Sequence, residues 1–212
     1  LTGVVQGIGL RPTLFRLARD WKLGGTVHNR AGTVRLVLEG QEGAIDGFLK
    51  ALQSDFPKPG ILTSLQEIAS ESIDVASSSF RIEASTADVP PVVQIPPDLR
   101  MCDDCRREVL DPANRRFGYP FTTCTVCGPR YTVVETMPYD RERTTLNRFP
   151  LCPDCRREYT TPEDRRFHAE SIACPACGPS LHVEDADGKQ ITTAAPLAHV
   201  RTVLRQGGIV AV

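Results

Sequence analysis

The sequence predicts an α+β protein in two main parts, a βαββαβ unit over residues 1–85 and a tandem cysteine module over residues 100–180. Three observations carry this. Apolar residues switch between period 2 and period 3.6 in that order along the first part. Eight cysteines fall in four Cys-x-x-Cys pairs, Cys102/Cys105, Cys124/Cys127, Cys152/Cys155 and Cys174/Cys177, separated by 18, 24 and 18 residues. Residues 151–180 also repeat residues 101–130 at an offset of 50, with 14 identical positions, so one module is used twice.

The first strand is read as Leu1–Gln6, running into the turn Gly7-Ile8-Gly9-Leu10-Arg11. Pro12 is expected at the first helical position, where an N–H would have no helical partner. That helix runs to about Leu23: Leu14, Leu17, Ala18 and Trp21 fall on one buried face, and Gly24 stands as the C-terminal cap. Thr26–Asn29 and Thr33–Glu39 are strands around Arg30-Ala31-Gly32, with Val34, Leu36 and Leu38 on one face. Ile45, Phe48, Leu49 and Leu52 give a second helix, ended by Phe56-Pro57-Lys58-Pro59-Gly60. Strands near Ser64–Ser70 and Phe80–Ala84 complete the split-βαβ, or ferredoxin-like, order. Pro90-Pro91 and Pro96-Pro97 mark a stiff linker, so the expected boundaries are 1–88, 89–99, 100–180 and 181–212. In the last segment Ala195–Gln206 reads as a helix and Gly207–Val212 as a strand; opening without Met and closing inside a strand, the chain reads as a piece of a longer protein.

A Cys-x-x-Cys knuckle turns two thiolates toward one ion, and two knuckles complete a closed S₄ shell that suits structural Zn²⁺. The eight cysteines are therefore expected to hold two zinc ions. Spacing leaves the pairing open: one ion within each repeat and knuckles paired across repeats both satisfy it. A disulfide framework is the competing reading, but strict Cys-x-x-Cys pairing in a reduced cytosol is the pattern of metal ligands. Redox pairs sit in a βαβ context and do not come as four evenly arranged copies.

A formal net charge of −1 argues against DNA or RNA as partner, as do aromatics at only 6%. Residues 100–180 hold 13 arginines against 12 acidic residues, so the paired arginines are expected to be solvated, ion-paired surface. No apolar run is long enough to span a bilayer and no signal-peptide pattern is present, which gives a cytoplasmic expectation with no membrane partner. His28 is expected to be structural, on the face opposite Asn29, and His168, His182 and His199 to be solvated. No Ser-His-Asp or His-Glu-x-x-His arrangement occurs.

The first strand-to-helix turn is where chemistry is expected. Gly7 and Gly9 let the backbone of Gln6, Gly7, Ile8, Gly9, Leu10 and Arg11 curl so that N–H groups converge, and the helix N-terminus adds its positive end. That makes an anion cradle. Arg11 sits at its edge, with a planar fork suited to a phosphate.

The stretch Gly3-Val4-Val5-Gln6-Gly7-Ile8-Gly9-Leu10-Arg11, then Leu23-Gly24-Gly25-Thr26-Val27-His28-Asn29-Arg30-Ala31-Gly32-Thr33-Val34, then Glu39-Gly40, resembles the acylphosphatase family over nearly all of residues 1–85. That resemblance implies that Arg11 binds phosphoryl oxygens and that Asn29 orients the attacking water. Leu10 stands where the family usually has Phe, and Ala31 where it usually has Asp. An acylphosphatase-like unit followed by these four cysteine pairs resembles the N-terminal portion of the HypF family, carbamoyltransferases of NiFe-hydrogenase maturation. The final helix and strand then resemble the start of that family's YrdC-like domain. The resemblance implies that carbamoyl phosphate is hydrolysed by the first domain, that the carbamate is adenylated with ATP by the YrdC-like part, and that a HypE-like protein accepts the carbamoyl group on a cysteine. The alternative expectation is a catalytically inactive acylphosphatase-like and zinc module that binds protein partners.

Overall fold

A computed structural model of the protein describes residues 1–86 and 94–211. The chain divides into two compact units, Leu1–Gly178 and Pro179–Val212. Pro90 and Pro91 of the expected linker lie outside the described residues. Pro96 is fully buried, and Leu99 exchanges backbone hydrogen bonds of 3.0 Å with Gly128.

The first unit begins with a mixed sheet. Strand β1 (Thr2–Val4) pairs antiparallel with β4 (Ile61–Ser64). Strand β2 (Gly24–Arg30) pairs antiparallel with β3 (Thr33–Glu39) and parallel with β5 (Phe80–Ile82). Leu1 and Val34 exchange two main-chain bonds of 3.0 Å each, which links the two ladders in the order β4-β1-β3-β2-β5. Helices α1 (Leu10–Asp20) and α2 (Glu42–Ser54) complete the βαββαβ arrangement. Leu14 and Ala18 from α1, Phe48 and Leu52 from α2, and Val27 and Val34 from the hairpin share one buried cluster. Each large side chain so buried contributes roughly 1.5–3 kcal/mol.

Several element bounds differ from the sequence expectation. Helix α1 starts at Leu10, so Pro12 is its third residue, still within the turn whose N–H groups have no helical acceptor. The helix ends at Asp20, and Gly24 opens β2 instead of capping it. Lys22, at φ 56°, takes the left-handed place, with Leu23 N donating to Ala18 O at 2.8 Å and Lys22 N to Arg19 O at 3.0 Å. That is a Schellman ending, closed by the buried pair Ala18 and Leu23. Trp21 is the capping residue within it and is 38% exposed, not core. Lys22→Gly is expected to stabilise the fold by about 0.5–1 kcal/mol in a denaturant titration, because glycine takes this conformation without strain.

Strand β4 lies at Ile61–Ser64, not near Ser64–Ser70: Ile61 and Leu62 pair with Val4 and Gly3, while residues 66–70 have no strand partner among the described residues. The first strand is shorter than Leu1–Gln6, because Val5 and Gln6 already turn toward the glycines. Strand β5 ends at Ile82, short of Ala84.

Each cysteine repeat places an eight-residue helix directly after its first cysteine: α3 (Asp103–Leu110) behind Cys102, and α4 (Pro153–Thr160) behind Cys152. Cys105 and Cys155 thereby face inward from the first helical turn, both fully buried. In the second unit β6 (Val183–Glu184) and β7 (Gln190–Ile191) form a hairpin, whose turn is closed by Asp185 Oδ1 accepting from Asp187 N and Lys189 N. Helix α5 (Pro196–Arg205) follows. Residues 207–211 form no strand, contrary to expectation; Ile209 is 96% exposed, with no neighbouring strand to pair with among the described residues.

Candidate functional site

Within the first unit, the glycine turn lies beneath the cysteine repeats. Gly7 and Gly9 both take left-handed φ, 71° and 72°, which curls the main chain before α1. A side chain at either position would meet the repeats: a Cβ on Gly7 would lie 3.3 Å from Arg130 Cδ, and one on Gly9 would lie 3.0 Å from Thr125 Cβ. Arg130 Nε donates to the Gly7 carbonyl, and Gln6 Oε1 accepts from Tyr139 N at 2.8 Å. Phe15 of α1 stacks edge-on against Phe167 at 5.3 Å, and Arg16 donates to the carbonyls of Pro162 and Asp164.

Arg11 and Asn29 converge. Both are buried, at 9% and 2% exposure, and both donate to one atom, the Tyr139 carbonyl oxygen, from 3.4 Å and 3.3 Å. Arg11 comes from the first turn of α1 and Asn29 from β2, where alternation sends His28 the other way, toward Glu83 at 3.6 Å. The pocket they share is lined on one side by the turn and on the other by Arg130, Tyr139, His168 and Glu170.

At the edge of the cradle Arg11 already has anionic partners, which were not expected from the sequence. Its guanidinium meets Asp140 Oδ1 at 2.8 Å and Glu170 Oε1 at 2.7 Å. Burial works against the Arg11 charge, but Glu170 and Asp140 outweigh it and hold the group firmly protonated. Burial also pushes the Glu170 carboxyl up, against the pull of Arg11.

His168 is not solvated. It stacks against Tyr159 at 5.0 Å and Phe167 at 4.7 Å. Burial, with Arg11 nearby, pushes its ring down to about 4 from an ordinary 6.5. Between those values the unfolded chain takes up a proton that the folded ring refuses, so this contribution to stability is intact above pH 6.5 and is lost as pH falls toward 4. The residue sits at φ 52°, so His168→Asn keeps a side chain that tolerates the backbone. The stability lost between pH 7 and pH 5 in urea titrations is expected to be smaller in that variant by about 2 kcal/mol.

The cysteines gather in two groups of four, one per repeat: Cys102, Cys105, Cys124 and Cys127, and Cys152, Cys155, Cys174 and Cys177. Sulfur separations of 3.5–3.8 Å within the groups exclude disulfides. They match four thiolates around one ion at about 2.3 Å, whose tetrahedron has edges of about 3.8 Å. The donor set therefore fits a metal in each repeat.

The arginine pairs 115/116 and 165/166 are ion-paired as expected, but Arg116 and Arg166 are buried, contrary to expectation, while Arg115 stays exposed and Arg165 is half-buried. Arg115 Nη2 and Arg116 Nη2 donate to Cys155 Sγ of the other repeat at 3.2 Å and 3.6 Å, and both arginines bind Glu158, at 2.8 Å and 2.5 Å. Arg165 and Arg166 return the arrangement onto Cys105 Sγ, at 3.2 Å and 3.9 Å, and onto Glu108. Arg116 and Arg166 are 1% and 3% exposed. Burial would raise the Glu158 carboxyl, but its bonds from Arg116 and Arg115 hold it at about 2. A four-thiolate site holding a divalent ion would keep a net charge of about −2, which the adjacent glutamate brings to about −3 and the two arginines reduce to about −1. Arg106, Arg107, Arg156 and Arg157 are exposed as expected, and so is His182, while His199 is half-buried.

A ferredoxin-like sheet with a glycine turn closing on arginine, faced by a buried asparagine, defines an acylphosphatase-type domain, here joined to paired four-cysteine fingers. Residues 1–82 match the acylphosphatase family, and residues 101–134 and 151–184 match the HypF finger. The chain is 46% identical over 213 residues to carbamoyltransferase HypF2 of Cupriavidus necator, covering 99% of this chain and 26% of that protein. It is 42% identical over 148 residues to carbamoyltransferase HypF of Synechocystis, covering 69% of this chain and 19% of that one. A crystal structure of full-length HypF in the phosphate- and nucleotide-bound form matches with a TM-score of 0.88 at 36% identity, over 97% of this chain and 26% of that chain. The chain belongs to the HypF family. It spans about a quarter or less of the length of these relatives.

Proposed function

We propose that residues 1–88 hydrolyse the acyl-phosphate bond of carbamoyl phosphate, as the first step of a carbamoyltransferase in NiFe-hydrogenase maturation. The observation that carries this reading is the convergence of Arg11 and Asn29 on one carbonyl oxygen beside the glycine turn. In this reading the N–H groups of Gln6–Arg11 and the Arg11 fork hold the phosphoryl oxygens, while Asn29 holds water in line with the bond to be broken. Water adds at phosphorus, the P–O bond breaks, and carbamate leaves with its electron pair. Such a leaving group needs little acid help, so positioning and charge stabilisation supply the rate. The carbamate would then be adenylated with ATP by a downstream YrdC-like domain, of which residues 181–212 would be the start, and passed to a cysteine of a HypE-like acceptor.

The two cysteine groups would each hold one structural Zn²⁺, with no position open for substrate. Eight unpaired thiols accord with a cytoplasmic setting. Among the described residues no helix is long and apolar enough to cross a membrane.

A second reading is favoured by one specific observation, the carboxylates already on Arg11: a finger-covered domain that binds without turnover. Phosphate release from carbamoyl phosphate by the full chain, without added metal or nucleotide, decides between them. Turnover abolished by Asn29→Ala supports the enzyme; phosphate binding without release supports the binding module.

A further inference from the structure

This inference rests on Arg11 being the phosphoryl-binding group. Its terminal nitrogens carry four N–H donors, and the structure gives them four partners. Nη1 meets Asp140 Oδ1 at 2.8 Å and Ser85 Oγ at 3.3 Å, and Nη2 meets Glu170 Oε1 at 2.7 Å and the Tyr139 carbonyl at 3.4 Å. A phosphoryl group binding the fork must take a place now held by one of these four oxygens, three of which come from Tyr139, Asp140 and Glu170, outside the acylphosphatase-type domain. A phosphoryl dianion added beside both carboxylates would meet two like charges in a poorly solvated pocket, so exchange is favoured over addition.

The two carboxylates are not equivalent. Glu170 is pinned through its other oxygen, Oε2, which accepts from Tyr159 Oη at 2.8 Å and from Arg141 N at 3.0 Å. Its side chain is 4% exposed. Asp140 is 15% exposed, and its second oxygen has a ready alternative in Arg143 at 3.3 Å. Asp140 can therefore swing away while Glu170 keeps the guanidinium in place.

We propose that Asp140 is a displaceable counter-anion of the acyl-phosphate site: the incoming phosphoryl group replaces it on Arg11, and its return helps to expel phosphate after hydrolysis. The fingers thereby set the affinity of a site whose other binding groups all belong to the acylphosphatase-type domain.

The probe is inorganic phosphate, titrated into the full chain by calorimetry and used as a competitive inhibitor of carbamoyl phosphate hydrolysis. Asp140→Asn, which keeps shape and loses charge, is expected to bind phosphate about tenfold more tightly than the parent. Asp140→Ala must act in the same direction, and serves if the amide variant folds poorly. Unchanged or weaker phosphate binding in the folded variants overturns the proposal. Equal tightening by Glu170→Gln overturns the choice of Asp140 as the exchanging group. Arg11→Ala separates the two levels of inference: if it leaves phosphate affinity unaltered, the reading of Arg11 itself fails. If it abolishes binding while the Asp140 variants match the parent, only the exchange is wrong.

Discussion

Chelation of fresh, reduced protein is expected to release two zinc ions per chain and to unfold both repeats in a single transition. Structural zinc contributes on the order of 10 kcal/mol of apparent binding free energy at neutral pH, far more than any other feature of these small modules. The two finger clusters of buried residues consist largely of the cysteines and their immediate neighbours, so little apolar core remains once the ions leave. A single transition follows from the crossed arginines: losing the ion of one repeat frees its helix, and the other repeat's buried arginines lose their carboxylate and thiolate partners together. Leaving such charges unpaired costs roughly 3–5 kcal/mol. Residues 1–86 should keep their amide protection, because their buried cluster contains no finger residue. The measurements are metal content by atomic absorption and hydrogen exchange by segment during chelation. Fewer than two ions per chain, or a Cys105→Ser variant whose second repeat stays fully protected, would contradict this account.

Asn29→Ala is expected to lower turnover of carbamoyl phosphate about 10²–10³-fold while leaving phosphate affinity within about threefold of the parent. In the proposed reading the amide acts on water, and water in line matters only as the bond breaks. Arg11→Ala should lose both turnover and phosphate binding, because the charge it meets is present before, during and after the reaction. This split separates the two roles within one pocket. Steady-state kinetics with phosphate as inhibitor measure it, and full turnover by Asn29→Ala would remove the catalytic assignment.

The metal ligands were legible because their chemistry imposes short local spacing; even so, spacing left the pairing open, and only the sulfur positions group the cysteines by repeat. Arg11 and Asn29 were legible through a resemblance spread over a contiguous domain. Asp140 and Glu170 were not, because they reach the site from 129 and 159 residues away in sequence, through a packing of fingers on sheet that no local pattern encodes. One signal was present. Residues 168–173 differ from residues 118–123 at every position, the longest interruption in the repeat, and His168 and Glu170 of that run line the pocket. The solvated reading of Arg116 and Arg166 failed for a similar reason: nearly equal numbers of opposite charges indicate pairing but not burial.

The crossed arrangement of Arg115 and Arg116 on α4, and of Arg165 and Arg166 on α3, also limits how this part of the chain can change. A single finger excised or transplanted elsewhere would carry a helix whose glutamate lacks its arginines and a loop whose arginines lack their glutamate. Loss of either copy would therefore damage the survivor, and a charge reversal in one copy would require a matching change in the other. Two is thus the smallest number of copies that satisfies this design, so the fingers form one indivisible unit despite their separate metal sites.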